Sequence, residues 1–241
     1  MFVNSVLSSL LLASTIASAA TIPQVIGEDK IILFGNGRTE IVDKAEYWKT
    51  QTIAPGPLAV SNGTAFNGTS EKKPSALNRR CKSTSIFHEN KDSTFANWDV
   101  PMSSVVKSAK DGTNVAVTAG YQISNAISVS ATASLTLVQD FLSASYGISY
   151  TESWTSSYAS SYTFPVPAGK YGVVVSNPWT TRKSGYVNIG CVGEATEKVT
   201  YQADSYKSKA YDGLSWVEGT ISLCTSDSYP VPYCIGSGHT Y

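Results

Sequence analysis

The chain has 241 residues with 18 basic and 18 acidic side chains, so its formal net charge is zero. Such a balance provides no whole-chain field for nucleic acid or for an anionic membrane surface, and nucleic-acid binding is set aside. About 220 residues would remain after removal of a leader, a length that suits one domain with a real core.

Residues 1–19 carry a hydrophobic run, Val6 to Ile16, that ends in Ala17-Ser18-Ala19. This is the pattern of a secretory signal peptide, although Lys and Arg are missing from its start. A secreted, extracellular protein is expected, with residues 20–80 an N-terminal extension or pro-segment and residues 81–241 a β-rich domain. Ile31 to Phe34, then Gly35-Asn36-Gly37 and Ile41-Val42, reads as strand, turn and strand.

From Pro55 to Arg80 the composition turns to Pro, Gly, Ser, Asn and Lys without periodicity, as in an exposed linker. Two glycosylation sequons lie there, at Asn62 and Asn67. The linker ends in Arg79-Arg80, which is either plain surface charge or a cut site for a dibasic-specific protease. The four cysteines, Cys81, Cys191, Cys224 and Cys234, imply two disulfides in an oxidising compartment. Of three possible connectivities, the short loop between Cys224 and Cys234 favours that pair, leaving Cys81 with Cys191.

The most unusual stretch runs from residue 113 to 166. Apolar residues fill the odd positions from Val115 to Leu137, with Asn125 the exception. After Val138 to Phe141 the phase moves to even positions, including Leu142, Tyr146, Ile148, Tyr150, Trp154, Tyr158 and Tyr162. Period two is the strand period. The four-residue spacing of the aromatics would also suit a helix face, but the intervening Ser and Thr favour strands. Two very long strands joined head to tail are therefore expected, the first spanning about 75 Å at about 3.3 Å per residue. Between Gly112 and Gly169 the charged side chains are Asp140 and Glu152.

Further on, Phe164 to Lys170 reads as a turn and Val173-Val174-Val175 as a buried strand broken by Asn177-Pro178. Tyr186 to Cys191, Lys198 to Ala203 and Trp216 to Cys224 read as more strands, and no helix of normal length is expected. The expected class is all-β: an elongated antiparallel sheet or a sandwich, with a long amphipathic hairpin and disulfide stabilisation. Trp98, Trp154, Trp179 and Trp216 either fill its core or grip a ligand.

Catalytic chemistry finds little support. His88 and His239 are the two imidazoles, Gly236-Ser237-Gly238-His239 lacks a strand-to-helix context, and Glu194 with Glu197 gives no carboxylate spacing. No metal or other cofactor is expected.

A membrane β-strand needs about 9 to 11 alternating residues and tolerates few charges on its lipid face. Val115 to Leu137 and Leu142 to Val166 each exceed that requirement, on either side of Val138 to Phe141. In this respect the chain resembles the aerolysin-type β-pore-forming toxins. The resemblance implies a soluble secreted form, assembly into a homo-oligomer, and insertion of a hairpin of roughly Ile123 to Leu137 and Leu142 to Trp154 around a tip at Val138 to Phe141, bearing Leu135, Leu137, Leu142, Tyr146, Ile148, Tyr150 and Trp154. The chain as a whole also resembles small secreted fungal proteins of the effector or toxin type. The expected partners are a target cell surface, whether glycan, protein or membrane. The alternative is a secreted β-sandwich binding module for glycan or protein.

Overall fold

The computed structural model describes residues 24–35, 38–53, 83–157, 162–191, 194–211 and 214–241. The expected leader, the Asn36-Gly37 turn, Asn62, Asn67, Arg79, Arg80, Cys81 and Tyr158 lie outside the described residues.

The first strands are β1 (Gln24–Val25), β2 (Lys30–Gly35) and β3 (Arg38–Asp43), followed by helix α1 (Lys44–Thr50). Asp43 starts that helix by accepting hydrogen bonds from the N–H groups of Ala45 and Glu46. Next come β4 (Thr84–Glu89), β5 (Ser93–Ala96), β6 (Val100–Pro101) and β7 (Val106–Lys107). Then follow β8 (Thr113–Ala116), β9 (Gln122–Ser124) and β10 (Ala126–Val129). A 3-10 turn at Thr132–Ser134 leads into helix α2 (Leu135–Tyr146), and β11 (Ser153–Thr155) and β12 (Tyr162–Val166) come after it. The chain closes with β13 (Tyr171–Cys191), β14 (Glu194–Ser205), β15 (Ser208–Tyr211), β16 (Leu214–Val217), β17 (Gly219–Ser226), β18 (Val231–Pro232) and β19 (His239–Thr240).

The all-β class holds, with several antiparallel sheets and a disulfide, but the long strand is elsewhere than expected. It is β13, whose 21 residues have a contour of about 70 Å. Along one edge it pairs in turn with β7, β6, β5 and β4; along the other it pairs with β17 and then β14. The β15–β16 hairpin fills the interval between β14 and β17. β10 extends the sheet beyond β14, and β2 with β3 extends it beyond β17. Asn177-Pro178 does not break the strand. Pro178 ends the pairing with β17, opposite Gly219, and pairing with β14 begins at Thr181. Its missing N–H thus falls where the ladder changes partner.

Alternation along β13 separates two packing layers. Val174 joins Ile32, Phe34, Trp216 and Ile221 in a core closed by Val115, Phe164 and Val166 of the small sheet β1-β12-β8. Val173 and Val175 face the other way, under Cys224 and Val231 of the C-terminal segment. Of the four tryptophans weighed as core, Trp216 is fully buried, its indole N–H donating to Ser176 Oγ at 3.1 Å; Trp98, Trp154 and Trp179 are half-buried. The expected turn at Phe164 begins later. β12 runs through Pro165 to Val166, because β1 covers only Tyr162 and Thr163 and leaves Pro165 with no donor to supply on that side. The turn itself uses Gly169 at φ +79°.

The Cys224–Cys234 disulfide is present, with its Cα atoms 5.8 Å apart, and Cys191 is disulfide-bonded as well. Asp99, almost fully buried, accepts from Asn177 Nδ2 at 2.7 Å and from the N–H groups of Cys234 and Ile235. Burial raises its carboxyl above the ordinary range despite these donors. Replacing Cys224 and Cys234 together by Ala is expected to cost about 2 to 4 kcal/mol. Urea unfolding of the double variant checks it; a loss below about 1 kcal/mol would show that the Asp99 bonds alone secure the segment.

Candidate functional site

The segment expected to be a long hairpin is instead a folded cover on one face of the sheet. Leu135, Leu137, Leu142 and Tyr146 lie on α2, Ile148 and Tyr150 on the return, and Trp154 on β11. This corrects both the hairpin and the expected lack of a normal helix. The physical reason is the face beneath. Ser134, Val138 and Leu142 are buried at four-residue spacing, and Val138 and Leu142 pack with Val187, Val199, Tyr201 and Ala203 of β13 and β14. Burying two such side chains outweighs the strand propensity of the Ser and Thr between them. Gly147, at φ +66°, ends the helix by donating its N–H to Ser143 O at 2.8 Å.

Side contacts hold the cover at the sheet edge. Phe141 stacks on Phe87 of β4 with ring centroids 3.7 Å apart. Tyr146 donates to Glu89, and this bond pushes the phenol up to about 12. Lys183 Nζ sits 3.5 Å over the Tyr146 ring and donates to Asp92 at 2.6 Å. Ser130 Oγ accepts from the Thr200 N–H at 2.9 Å, fixing the far end of β10 on β14.

At the base, β9 and β11 are already an antiparallel pair: Gln122 opposite Thr155, Ile123 opposite Trp154, Ser124 opposite Ser153. The Asn125 N–H donates to Glu152 O at 3.0 Å, one step further in the same register. There the ladder stops, because Asn125 Nδ2 turns to Ser149 O and β10 pairs with β14 instead. β9 and the start of β10 also border a cleft of about 260 Å³.

The remaining sequence candidates do not converge on this segment. His88 is exposed and stacks on Tyr186 at 4.5 Å, and His239 and Ser237 are exposed near the C-terminus. Glu197 is exposed on β14, and the side chain of Glu194 lies outside the described residues. Asp99, Cys224 and Cys234 lie close enough to hold a metal, but both sulfurs are committed to the disulfide. Sequence reasoning missed Phe87, Glu89, Lys183 and Tyr201 as supports of the cover. Only the alternation of apolar residues in β13 and β14 pointed toward an apolar face there. Among the described residues no helix is long and apolar enough to cross a membrane, which says nothing of strands. No protein-family model, curated protein or solved structure matches the chain.

Proposed function

We propose that this chain is a secreted, non-enzymatic toxin or effector-like protein that acts at a target cell surface. Residues 126–151 leave the sheet as a β-hairpin, and several copies together build a membrane barrel.

The observation that carries this reading is the register of the β9–β11 pair. Continued without slip, it sets Ile127 opposite Tyr150, Val129 opposite Ile148, Ala131 opposite Tyr146, Ala133 opposite Ala144 and Leu135 opposite Leu142. Every one of these pairs is apolar on both strands, as cross-strand neighbours on a lipid-facing surface must be. The opposite face would carry Ser128, Ser130, Thr132, Ser134 and Thr136 against Ser143, Ser145, Ser149 and Thr151, with Phe141 the large exception. Asp140 falls at the tip and Asn125 with Glu152 at the base. The segment's two charges therefore bracket eleven residues on each arm, 126–136 and 141–151, enough for a membrane-spanning strand. Tyr150 and Trp154 would lie near the base, where aromatic girdles sit.

Period two thus runs through a segment whose soluble fold uses it only along β10, paired with β14, and replaces it by a helix from Leu135. A conflict between local pattern and folded structure is expected at functional or strained sites, and a second, extended structure would give this one its reason. The test is dye release from lipid vesicles by the purified chain, intact and cleaved after Arg80. Release is expected; its failure with both forms would favour a secreted binding module for glycan or protein.

A further inference from the structure

The face under α2 holds two tyrosine hydroxyls that its packing does not satisfy. Tyr150 is 8% and Tyr201 4% exposed, and neither hydroxyl has a hydrogen-bond partner among the described residues. Both side chains belong to the cluster that Val138 and Leu142 complete. Native cores seldom leave a buried hydroxyl unpaired, since removing it from water without a partner is costly. Val187, Val199 and Ala203, in the same cluster, carry no polar side-chain atoms, while the negative charges of Glu89 and Asp204 act on Tyr201 and Tyr150 respectively without hydrogen-bonding their hydroxyls. Burial also pushes both phenols up to about 12.

Resting on the reading that α2 leaves the sheet, we propose that the buried hydroxyls of Tyr150 and Tyr201 tune its release, holding the closed cover in a deliberately weakened state. Lifting α2 would return Tyr201 to water on the bare sheet face, and Tyr150 would depart with the segment. Each hydroxyl would then gain from water the hydrogen bonds that no described residue gives it when covered. Against this stand the Phe87–Phe141 stack, the Tyr146–Glu89 bond and the Lys183 contact, all on the β4 side of the helix. The cover is therefore clamped along one edge and frustrated beneath. The closed state survives because apolar burial and the edge clamp outweigh the hydroxyl cost. A modest trigger that loosens the edge would find the rest already inclined to open.

The two sides of this balance predict opposite effects for conservative changes. Tyr201→Phe and Tyr150→Phe keep the ring and delete the unsatisfied atom, so each should tighten the cover. Phe141→Ala removes the stack and should loosen it. Amide hydrogen exchange of residues 135–146, measured on the purified soluble protein without lipid, is expected to slow about tenfold in either Phe variant. In Phe141→Ala it should quicken. Vesicle dye release should be slower for the Phe variants in the same order. Unchanged or faster exchange of α2 in both Phe variants would overturn the proposal, since their hydroxyls would then be satisfied in the closed state. Exchange reads the clamp even where dye release fails, so loss of the insertion reading and loss of this one are told apart.

Discussion

Ala144→Lys is expected to leave the soluble protein folded and to abolish membrane permeabilisation. Ala144 is exposed on α2, and Lys is a good helix former, so the closed cover accommodates the change at little cost. In the proposed extended register the same residue would lie opposite Ala133, near the middle of the span and facing lipid. A Lys there costs about 2 to 4 kcal/mol in each copy of a barrel. The neighbouring Ser145→Lys is the matched control, because Ser145 is also exposed on α2 but would face the aqueous lumen. Thermal unfolding beside vesicle leakage reads both states: Ala144→Lys should be stable and inactive, Ser145→Lys stable and active. An Ala144→Lys protein that leaks vesicles like the wild type would sink the register. Leu142 could not serve this purpose, since it is fully buried in the soluble form and Lys there would unfold the protein.

The second large effect is expected at Arg182→Met. Arg182 grips Asp204 across β13 and β14 with Nε to Oδ1 and Nη2 to Oδ2, both at 2.7 Å, and lies 4.7 Å over the Phe95 ring. Asp204 is 1% exposed. Removing the cation leaves a buried carboxylate uncompensated, an effect of about 3 to 5 kcal/mol. Adding Asp204→Asn should recover part of the loss, because the stranded charge is then gone. Urea midpoints of the single and double variants decide this; a single variant within about 1 kcal/mol of wild type would mean that the pair is dispensable. The prediction bears on the site because β10 hangs on β14 through Ala126 opposite Asp204. A loosened β14 would free β10 and the whole cover with it.

Part of the candidate segment could be read directly and part could not. The tip between Val138 and Phe141 stood out as a break in the period-two pattern, and it coincides with the middle of α2. Phe141 and Leu142 follow Val138 by three and four residues, spacings that put all three on one helix face. Read alone, four residues cannot outvote the long alternation on either side. Only the apolar face of Val187, Val199 and Ala203 turns them into a helix face. The edge clamp was less accessible still: Phe87, Glu89 and Lys183 are far from α2 in sequence and are brought to it by β4 pairing with β13.

What the sequence determined by itself was what short-range physics controls. Alternation set the strand class, Val173 to Val175 read as a buried strand, and the short span from Cys224 to Cys234 marked their pairing. The near absence of charge from residue 113 to 166 was equally plain. The tertiary structure decided what depends on partners distant in the chain. It carried β13 through Pro178, because two different strands meet it there, and it folded an alternating segment into a helix, because burial of Val138 and Leu142 outweighs local preference. Propensity is worth tenths of a kcal/mol per residue, whereas burying one large apolar side chain is worth about 1.5 to 3 kcal/mol, so where the two disagree the long-range contact prevails.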